Sequence, residues 1–176
     1  MPDAETELPE FYLQPGEVHL ARSPAILKTV LGSCVGVTFW SPRLGMGALC
    51  HGILPRCPSG LAAAEGYRYV DFAICDLAHQ FEHFGAIRGE VQIKVFGGAD
   101  VLPVHSAMSW KATVGHQNWH TALEVLRDER FTVLASDLGG SVGRTIQFHT
   151  GTGEVLLRRL SHLTPDDERD PKKAGR

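Results

Sequence analysis

The residues of this sequence that are best suited to chemistry are a cysteine and a histidine on either side of a predicted turn. Cys34 ends the segment Leu31-Gly-Ser-Cys34, so its thiol follows a break in an apolar run and precedes Val35. A nucleophile at such a break can be exposed to a substrate, with free backbone N–H groups nearby to stabilise an oxyanion. Because cysteine is also among the most buried residue types, a small buried side chain at a strand start is the alternative interpretation.

A thiol nucleophile needs a base nearby, because little of a free cysteine is thiolate at neutral pH. Nine histidines are available. His51 is the best placed of them, because it lies on the segment that returns after the Ser41-Pro-Arg-Leu-Gly45 turn, and a hairpin can bring it alongside Cys34. Cys34 and His51 are therefore candidates for a nucleophile and its base.

The remaining histidines and cysteines give no recognisable metal site. Two histidine pairs have a spacing compatible with a metal, namely His79 with His83 and His116 with His120. Neither pair has a third ligand close in sequence, so solvated helix flanks are the favoured interpretation. Cys50 and Cys57 lack a second Cys-x-x-Cys, and neighbouring residues 50 and 51 of a strand point to opposite faces. The histidines that suggest no role are His19, His105, His149 and His162.

Two glycine-rich segments do not match a phosphate-binding motif. Phe96-Gly-Gly-Ala-Asp100 and Asp137-Leu-Gly-Gly-Ser-Val-Gly-Arg144 contain neither GxGxxG leading into a helix nor GxxxxGK[ST]. Tight turns and close backbone packing are the favoured interpretation. Asp137 and Arg144 are expected to pair across the second segment as a surface ion pair, which contributes ~0–1 kcal/mol. No metal, nucleotide or other cofactor is therefore expected.

The elements that must position Cys34 and His51 are predicted from hydrophobic spacing. Alternating and β-branched apolar residues predict strands on both sides of the Gly32-Ser33 break and a hairpin partner that carries His51. The predicted strands cover 26–31, 35–39, 46–54, 91–96, 131–137, 144–150 and 154–160. Apolar residues three to four apart predict helices over 70–84 and 117–129, with Gly85 placed to end the first.

Six or seven strands and two main helices, in an order that does not alternate strictly, predict an α+β fold. We expect a layered α/β sandwich of mainly antiparallel strands. The 176 residues are enough for a single domain. A loose acidic arm is expected over 1–15, the folded domain over 16–162, and a disordered charged tail over 163–176.

Composition and charge exclude several classes of protein. Hydrophobic residues at 43% and charged residues at 21% exclude wholesale disorder and a coiled coil. The net charge of −3 argues against a nucleic-acid-binding surface. No apolar run reaches the ~18 residues that a membrane span needs. An acidic N-terminus is the reverse of a signal peptide, and four cysteines are too few for a disulfide scaffold, so a cytoplasmic protein with reduced thiols is expected.

Several motifs together resemble the CheD family of chemoreceptor glutamine deamidases. They follow the family's order and approximate spacing over residues 16–160, and the ordered set is far more specific than any one motif. The motifs are Thr29-Val-Leu-Gly-Ser-Cys34-Val-Gly-Val, Ser41-Pro-Arg-Leu-Gly45, His51-Gly-Ile-Leu-Pro55, Arg68-Tyr-Val-Asp71, Val95-Phe-Gly-Gly-Ala99, Gly115-His-Gln-Asn118, Asp137-Leu-Gly-Gly-Ser-Val-Gly-Arg144 and Thr150-Gly-Thr-Gly-Glu-Val155.

The resemblance implies a cysteine hydrolase that converts receptor glutamines, and also glutamyl methyl esters, to glutamate. Carried over by position, it implies Cys34 as the nucleophile, His51 as the base and Thr29 as the residue that orients the imidazole. Lys28 occupies the alternative slot for that threonine, and Cys50 stands where the family commonly has Asn. An imidazolium beside the sulfur would lower the pKa of the thiol, and backbone N–H groups around residues 33 and 34 are expected to form the oxyanion hole.

The resemblance also implies partners. The substrate would be the cytoplasmic helices of methyl-accepting chemotaxis receptors, reached through an open groove for which residues 56–66 are a candidate wall. In some members the CheC phosphatase binds as well. No nucleic acid and no membrane insertion are expected. Two other functions stay open, a catalytically weak scaffold that binds receptors or CheC and, more distantly, a metal-binding regulator. The presence of both Cys34 and His51 favours the enzyme.

Overall fold

The computed structural model describes residues 7–61, 63–101 and 113–160. Within them the strands are β1 (Glu10–Tyr12), β2 (Val18–Ala21), β3 (Ile26–Leu31), β4 (Val35–Ser41), β5 (Met46–Gly52), β6 (Gln92–Gly97), β7 (Val133–Leu138), β8 (Arg144–His149) and β9 (Val155–Arg159). The helices are α1 (Ala63–Gly66), α2 (Val70–His83), α3 (Val114–Asp128) and a short 3₁₀ helix (Arg88–Glu90).

These strands form two sheets, one of four strands and one of five. The four-stranded sheet has the order β1-β3-β8-β9, and the five-stranded sheet has the order β2-β5-β4-β6-β7. The pairs β1–β3 and β6–β7 are parallel, and the other pairs are antiparallel. Because β3 and β4 are consecutive but belong to different sheets, the segment 32–34 carries the chain from one sheet to the other.

The two main helices cover one face of the five-stranded sheet. Alternate residues of β4, namely Val35, Val37 and Phe39, are fully buried in the core cluster that includes α2 and α3. The ring of Phe39 lies 5.5 Å from the ring of Phe81 on α2. The helical spacing that predicted α2 thus corresponds to its buried stripe, which consists of Val70, Ala73, Ile74, Leu77, Ala78 and Phe81.

The other face of the five-stranded sheet packs against the four-stranded sheet. A second core cluster fills this space, with Leu27, Leu31, Leu49, Phe96, Ile146 and Phe148 among its members. Trp40 also ties the sheets together, because its indole N–H donates to the carbonyl of Thr150 at 2.8 Å. The result is three layers, sheet on sheet on helices, which confirms the predicted α+β sandwich of mainly antiparallel strands.

The N-terminal segment differs from the expectation of a loose arm over 1–15. Residues Glu10–Tyr12 pair in parallel with β3, and Leu13 is buried with its N–H donated to the carbonyl of Lys28 at 2.8 Å. Three exposed residues carry no alternation that a sequence pattern can detect, and their pairing partner is distant along the chain. Residues 1–6 and the predicted tail over 163–176 lie outside the described residues.

The predicted pair between Asp137 and Arg144 forms, but it is not a surface pair. The guanidinium Nη2 of Arg144 lies 2.9 Å from Oδ1 of Asp137, and the Arg144 side chain is only 3% exposed. It also donates to the carbonyl of Gly139 at 2.8 Å. The ion pair therefore joins the end of β7 to the start of β8 inside the fold, where removal of one partner costs more than at the surface.

Within the described part of the chain, no helix is both long enough and apolar enough to cross a membrane.

Candidate functional site

The segment between β3 and β4 places Cys34 at the edge of the space between the two sheets. The Cys34 side chain is partly buried and packs against the cluster between the sheets. β4 begins at the next residue, and alternation along it puts Gly36 on the same face as Cys34. Gly36 is paired with His51 on β5, so the register places Cys34 and His51 on one face.

His51 and Thr29 meet between the two sheets. Thr29 lies on β3 in the four-stranded sheet and His51 on β5 in the five-stranded one, and their side chains are buried. Thr29 Oγ1 lies 2.7 Å from His51 Nδ1. Lys28 occupies the next position along β3 but points away, since its Nζ pairs with Glu10. Of the two candidate slots, Thr29 is the one that contacts the imidazole.

The hydrogen bonds of Thr29 assign the tautomer of His51. The Thr29 hydroxyl donates its single proton to the carbonyl of Leu13 at 2.8 Å. Its oxygen is therefore left to accept from His51, so Nδ1 carries the ring proton and Nε2 carries the lone pair. Nε2 is buried and has no hydrogen-bond partner among the described residues, Cys34 included. A free Nε2 lone pair on the same face as the thiol can act as a general base once the two atoms come within hydrogen-bond distance.

Burial sets the protonation of both groups in this conformation. It raises the pKa of the Cys34 thiol, and the backbone N–H of Cys34 offsets this effect only in part. Burial also lowers the pKa of His51 to about 4, against opposing contributions from the carbonyl of Leu13 and the charge of Glu17. At neutral pH both groups are neutral. The resting site therefore holds a thiol and an imidazole rather than the thiolate–imidazolium pair that the sequence led us to expect.

All three carbonyls of the segment 32–34 are held by groups from elsewhere in the chain. The N–H of Ala99 donates to Gly32 O at 2.9 Å, and the N–H of Gly98 donates to Cys34 O at 2.8 Å. Asn118 Nδ2 donates to Ser33 O at 2.9 Å. The N–H of Cys34 lies against its own thiol. Hydrogen bonds to all three carbonyls fix the backbone of this segment.

Two groups of this site were missed by sequence reasoning. The carbonyl of Leu13 carries no side-chain signature, so only the fold reveals that it accepts from Thr29. Asn118 was part of a family-like motif but was given no role, although its amide contacts the segment that carries Cys34. For Asn118 a usable signal existed, namely a polar residue on the apolar face of a predicted helix.

Cys50 lies on the opposite face of β5 from His51, as the strand alternation predicted. It is buried under α2 in the helix-side cluster. Burial raises the pKa of its thiol to about 12, so it stays neutral at physiological pH. Cys50 therefore contributes to the helix-side core rather than to the space around His51.

The other histidine and cysteine candidates do not assemble in the described part of the chain. His116 and His120 stack on α3 with ring centroids 5.7 Å apart, and His120 lies 3.5 Å from Glu124. Among the described residues no group of three or more His, Cys, Asp or Glu has the geometry to hold a metal ion. All four cysteines are free thiols. His105 and His162 lie outside the described residues.

A surface groove of about 440 Å³ lies between α3 and the chain that follows β5. The ion pair between Arg56 and Glu124, at 2.8 Å, connects its two sides. The groove is lined by Pro55, Arg56, His116, Gln117, His120, Thr121 and Glu124. It is open and partly polar, so it suits a protein segment better than a small apolar ligand.

A thiol, an imidazole with a free nitrogen and a third group that orients the imidazole are the three parts that cysteine hydrolases use, and the third group here is the Thr29 hydroxyl. The fold and the site together define a layered α+β protein with these parts between its two sheets. The sequence profile described as CheD chemotactic sensory transduction matches residues 53–159. The chain belongs to the CheD family.

Curated relatives match almost the whole chain. The chain is 41% identical, over 91% of its length and 96% of the relative, to a protein of Geobacter sulfurreducens named Probable chemoreceptor glutamine deamidase CheD 2. Two proteins named Probable chemoreceptor glutamine deamidase CheD are also similar. The one from Maridesulfovibrio salexigens is 33% identical over 91% of this chain and 97% of the relative. The one from Pseudomonas syringae is 36% identical over 95% of this chain and 96% of the relative.

Proposed function

We propose that this protein is a chemoreceptor glutamine deamidase that uses Cys34 as its nucleophile. The names of its relatives support the activity. The observation that carries the mechanism is the hydrogen bond between Thr29 and His51 Nδ1, because it leaves the Nε2 lone pair free on the face that carries Cys34. A base in this state can take a proton from the thiol.

The first half of the reaction forms a thioester. As the thiol approaches, His51 Nε2 takes the proton from Cys34 Sγ, and the sulfur attacks Cδ of the substrate glutamine. The electron pair of the C=O bond moves to the oxygen, which accepts hydrogen bonds from the N–H groups of Ser33 and Cys34. The intermediate then expels its nitrogen as ammonia, with the proton returned by His51, and the acyl group remains on sulfur.

The second half hydrolyses the thioester to glutamate. His51 Nε2 takes a proton from water, and the water oxygen attacks the same carbon with the same backbone donors holding the oxyanion. The carbon–sulfur bond breaks, and His51 returns the proton to Cys34. A glutamyl methyl ester passes through the same thioester with methanol as the leaving group, so both reactions need one set of residues.

The proposed substrate is a glutamine on the cytoplasmic helices of a methyl-accepting chemotaxis receptor, and we place the protein in the cytoplasm. The open groove beside α3 has room for a protein segment, and Arg56 at its edge begins the segment 56–66 that we propose as a wall, although Cys34 and His51 do not line this groove. The CheC phosphatase is proposed as a second partner on the strength of the family resemblance alone.

The test is deamidation of a purified receptor cytoplasmic fragment, with ammonia release and the glutamine-to-glutamate mass change followed together. We expect activity from the wild type and none from Cys34→Ala. Cys75→Ala is the matched control, because this half-buried thiol lies on α2 beside Glu129, outside the site. Full activity of Cys34→Ala would contradict the mechanism. An inactive wild type, on a fragment that another deamidase modifies, would favour the scaffold.

A further inference from the structure

We propose that Asn118 is a positioning residue that holds the segment carrying Cys34 against the end of the strand carrying His51. The inference deepens the proposed function and rests on it for its kinetic readout. Asn118 is fully buried, so it cannot touch a substrate, and any contribution to catalysis must act through the residues that it holds.

The amide group of Asn118 joins the two halves of the site. Its Nδ2 donates to Ser33 O at 2.9 Å and to Ile53 O at 2.8 Å. Ser33 directly precedes Cys34, and Ile53 follows shortly after His51. An amide NH₂ group has two protons, and both are used here. The opposite orientation would put Oδ1 against two carbonyl oxygens, so the two acceptors fix the assignment of the amide.

Helix α3 delivers this amide at close range. Gly115 lies one turn before Asn118, and a Cβ atom built on it would meet the carbonyl oxygen of Ala99 at 2.6 Å. Only glycine permits so short an approach between the helix and the residues whose N–H groups hold Gly32 O and Cys34 O. The start of α3 is itself fixed, because Thr113 Oγ1 accepts from the N–H of His116 at 3.2 Å. The helix and the 98–99 segment thus act together on the three carbonyls.

The burial of Asn118 is not explained by stability alone. Its Oδ1 is buried without a hydrogen-bond partner among the described residues. An orphaned buried acceptor is destabilising, and a helix face that packs on a sheet is normally apolar. Ala122 and Leu126 on the same face follow that rule and are fully buried. The two carbonyls that Asn118 binds therefore account for a polar side chain at this position better than packing does.

The consequence concerns the alignment of Cys34 Sγ with His51 Nε2. These atoms are not hydrogen-bonded in this conformation, so proton transfer requires that they approach each other. Asn118 limits that motion because it ties the backbone beside Cys34 to the backbone beyond His51. Without it, the segment 32–34 keeps two of its three carbonyl contacts but loses the one shared with the His51 strand.

The test compares Asn118→Leu with Val125→Ala. Leucine fills a similar space without donors, and Val125→Ala removes apolar packing from the same helix, away from the site. We expect Asn118→Leu to lower kcat on a receptor fragment about 10- to 100-fold, with KM changed less than about twofold. We expect Val125→Ala to retain wild-type kcat at a similarly lowered unfolding midpoint. Asn118→Ser, which cannot span both carbonyls, is expected to follow Asn118→Leu and serves if the leucine variant does not fold.

A second readout does not depend on deamidation. Iodoacetamide should alkylate Cys34 at neutral pH more slowly in Asn118→Leu, approaching the rate of His51→Gln, because His51 is no longer aligned to take the proton. An unchanged alkylation rate in folded Asn118→Leu or Asn118→Ser, or losses no larger than those of Val125→Ala, would overturn the inference. If wild type releases no ammonia, the proposed function fails, and the alkylation rates alone decide whether Asn118 positions Cys34.

Discussion

The tautomer of His51 depends on the main-chain carbonyl of Leu13. Leu13 O accepts the only proton of the Thr29 hydroxyl, and this bond obliges Thr29 to accept from Nδ1. Without Leu13, the hydroxyl could donate to Nδ1 instead, and the ring proton would then sit on Nε2, where it would block proton transfer from a thiol. The residues around 13 therefore belong to the site, although they contribute no side chain to it.

At the scale of residues, we predict that Thr29→Val lowers kcat about 10- to 100-fold, because the valine keeps the shape but removes the hydroxyl oxygen that accepts from Nδ1–H. KM should change little, since Thr29 is buried away from the surface. Steady-state kinetics on a receptor fragment measure both quantities. Thr29→Ser keeps the hydroxyl and should retain most of the activity. Equal activity of the valine and serine variants would mean that the hydroxyl does not orient His51.

The side chains of the proposed site were named from the sequence, but the groups that hold them could not be. Cys34 and His51 stood out by residue type and by their places around a predicted hairpin, and the family resemblance added Thr29. Leu13 and Asn118 did not stand out. A carbonyl has no residue type, and the role of Asn118 depends on two acceptors, Ser33 O and Ile53 O, that only the folded chain brings together.

At the scale of elements, the crossing between the two sheets is shaped by the end of β6. Gly97 has a φ of 110°, and a Cβ atom built on it would lie 2.2 Å from the carbonyl oxygen of Cys34. The next two residues, Gly98 and Ala99, then direct their N–H groups at the carbonyls of Cys34 and Gly32. The glycine pair is thus a backbone support for the segment of Cys34, which agrees with the packing interpretation of this motif.

We predict that Gly97→Ala displaces the segment 32–34 and abolishes most of the deamidase activity, because an alanine Cβ cannot share space with Cys34 O. Gly85→Ala is the matched control. Gly85 has a comparable φ of 87°, but a Cβ there meets nothing within 4 Å. Gly85→Ala should lower the free energy of unfolding by about 1–2 kcal/mol, since it forces an alanine to a positive φ. Gly97→Ala should lower it further, because the clash with Cys34 O adds to the same strain.

Denaturant unfolding measures the backbone strain that both glycine variants introduce. Kinetics measures the displacement of the segment 32–34, which only Gly97→Ala is expected to cause. Only Gly97→Ala should lose activity and slow the alkylation of Cys34. Wild-type activity of folded Gly97→Ala would show that the segment 32–34 tolerates the displacement.

Elements with strong periodicity were predicted well, and short edge strands were not. The β4–β5 hairpin and α2 were predicted to within a few residues, because alternation and a buried stripe are local signals. α3 starts at Val114, three residues before its predicted start, because Thr113 caps it. β1 and β2 were missed, since each is short and is stabilised by a partner that is distant along the chain.

At the scale of the whole molecule, the two buried faces of the five-stranded sheet differ in polarity. The helix side is a mainly apolar core, with Asn118 and Thr121 of α3 as buried polar exceptions. The space between the sheets contains buried polar side chains as well, including Thr29, His51, Arg144 and Thr150. Each sheet contributes one member of the Thr29–His51 pair, so the site exists only when the sheets are stacked. The geometry of the proposed site and global folding are therefore coupled in this chain.

This coupling makes the protonation of His51 visible in global stability. Burial between the sheets lowers the pKa of His51 to about 4 from the ordinary value of 6.5, so the folded state disfavours its charged form. The unfolded chain binds a proton at this histidine below pH 6.5, whereas the folded chain does so only near pH 4. Stabilisation by neutral His51 is therefore complete above pH 6.5 and is lost as the pH falls towards 4.

We predict that wild type loses about 3 kcal/mol more of its free energy of unfolding between pH 7 and pH 4 than His51→Gln does, the equivalent of this pKa shift. Denaturant unfolding of both proteins across this range measures the difference. Other groups with depressed pKa values, such as His19, are present in both proteins and cancel in the comparison. Parallel curves would mean that His51 is protonated as easily in the folded state as in the unfolded chain. The stacked sheets would then not hold it neutral, and the resting base would already be charged at mildly acidic pH.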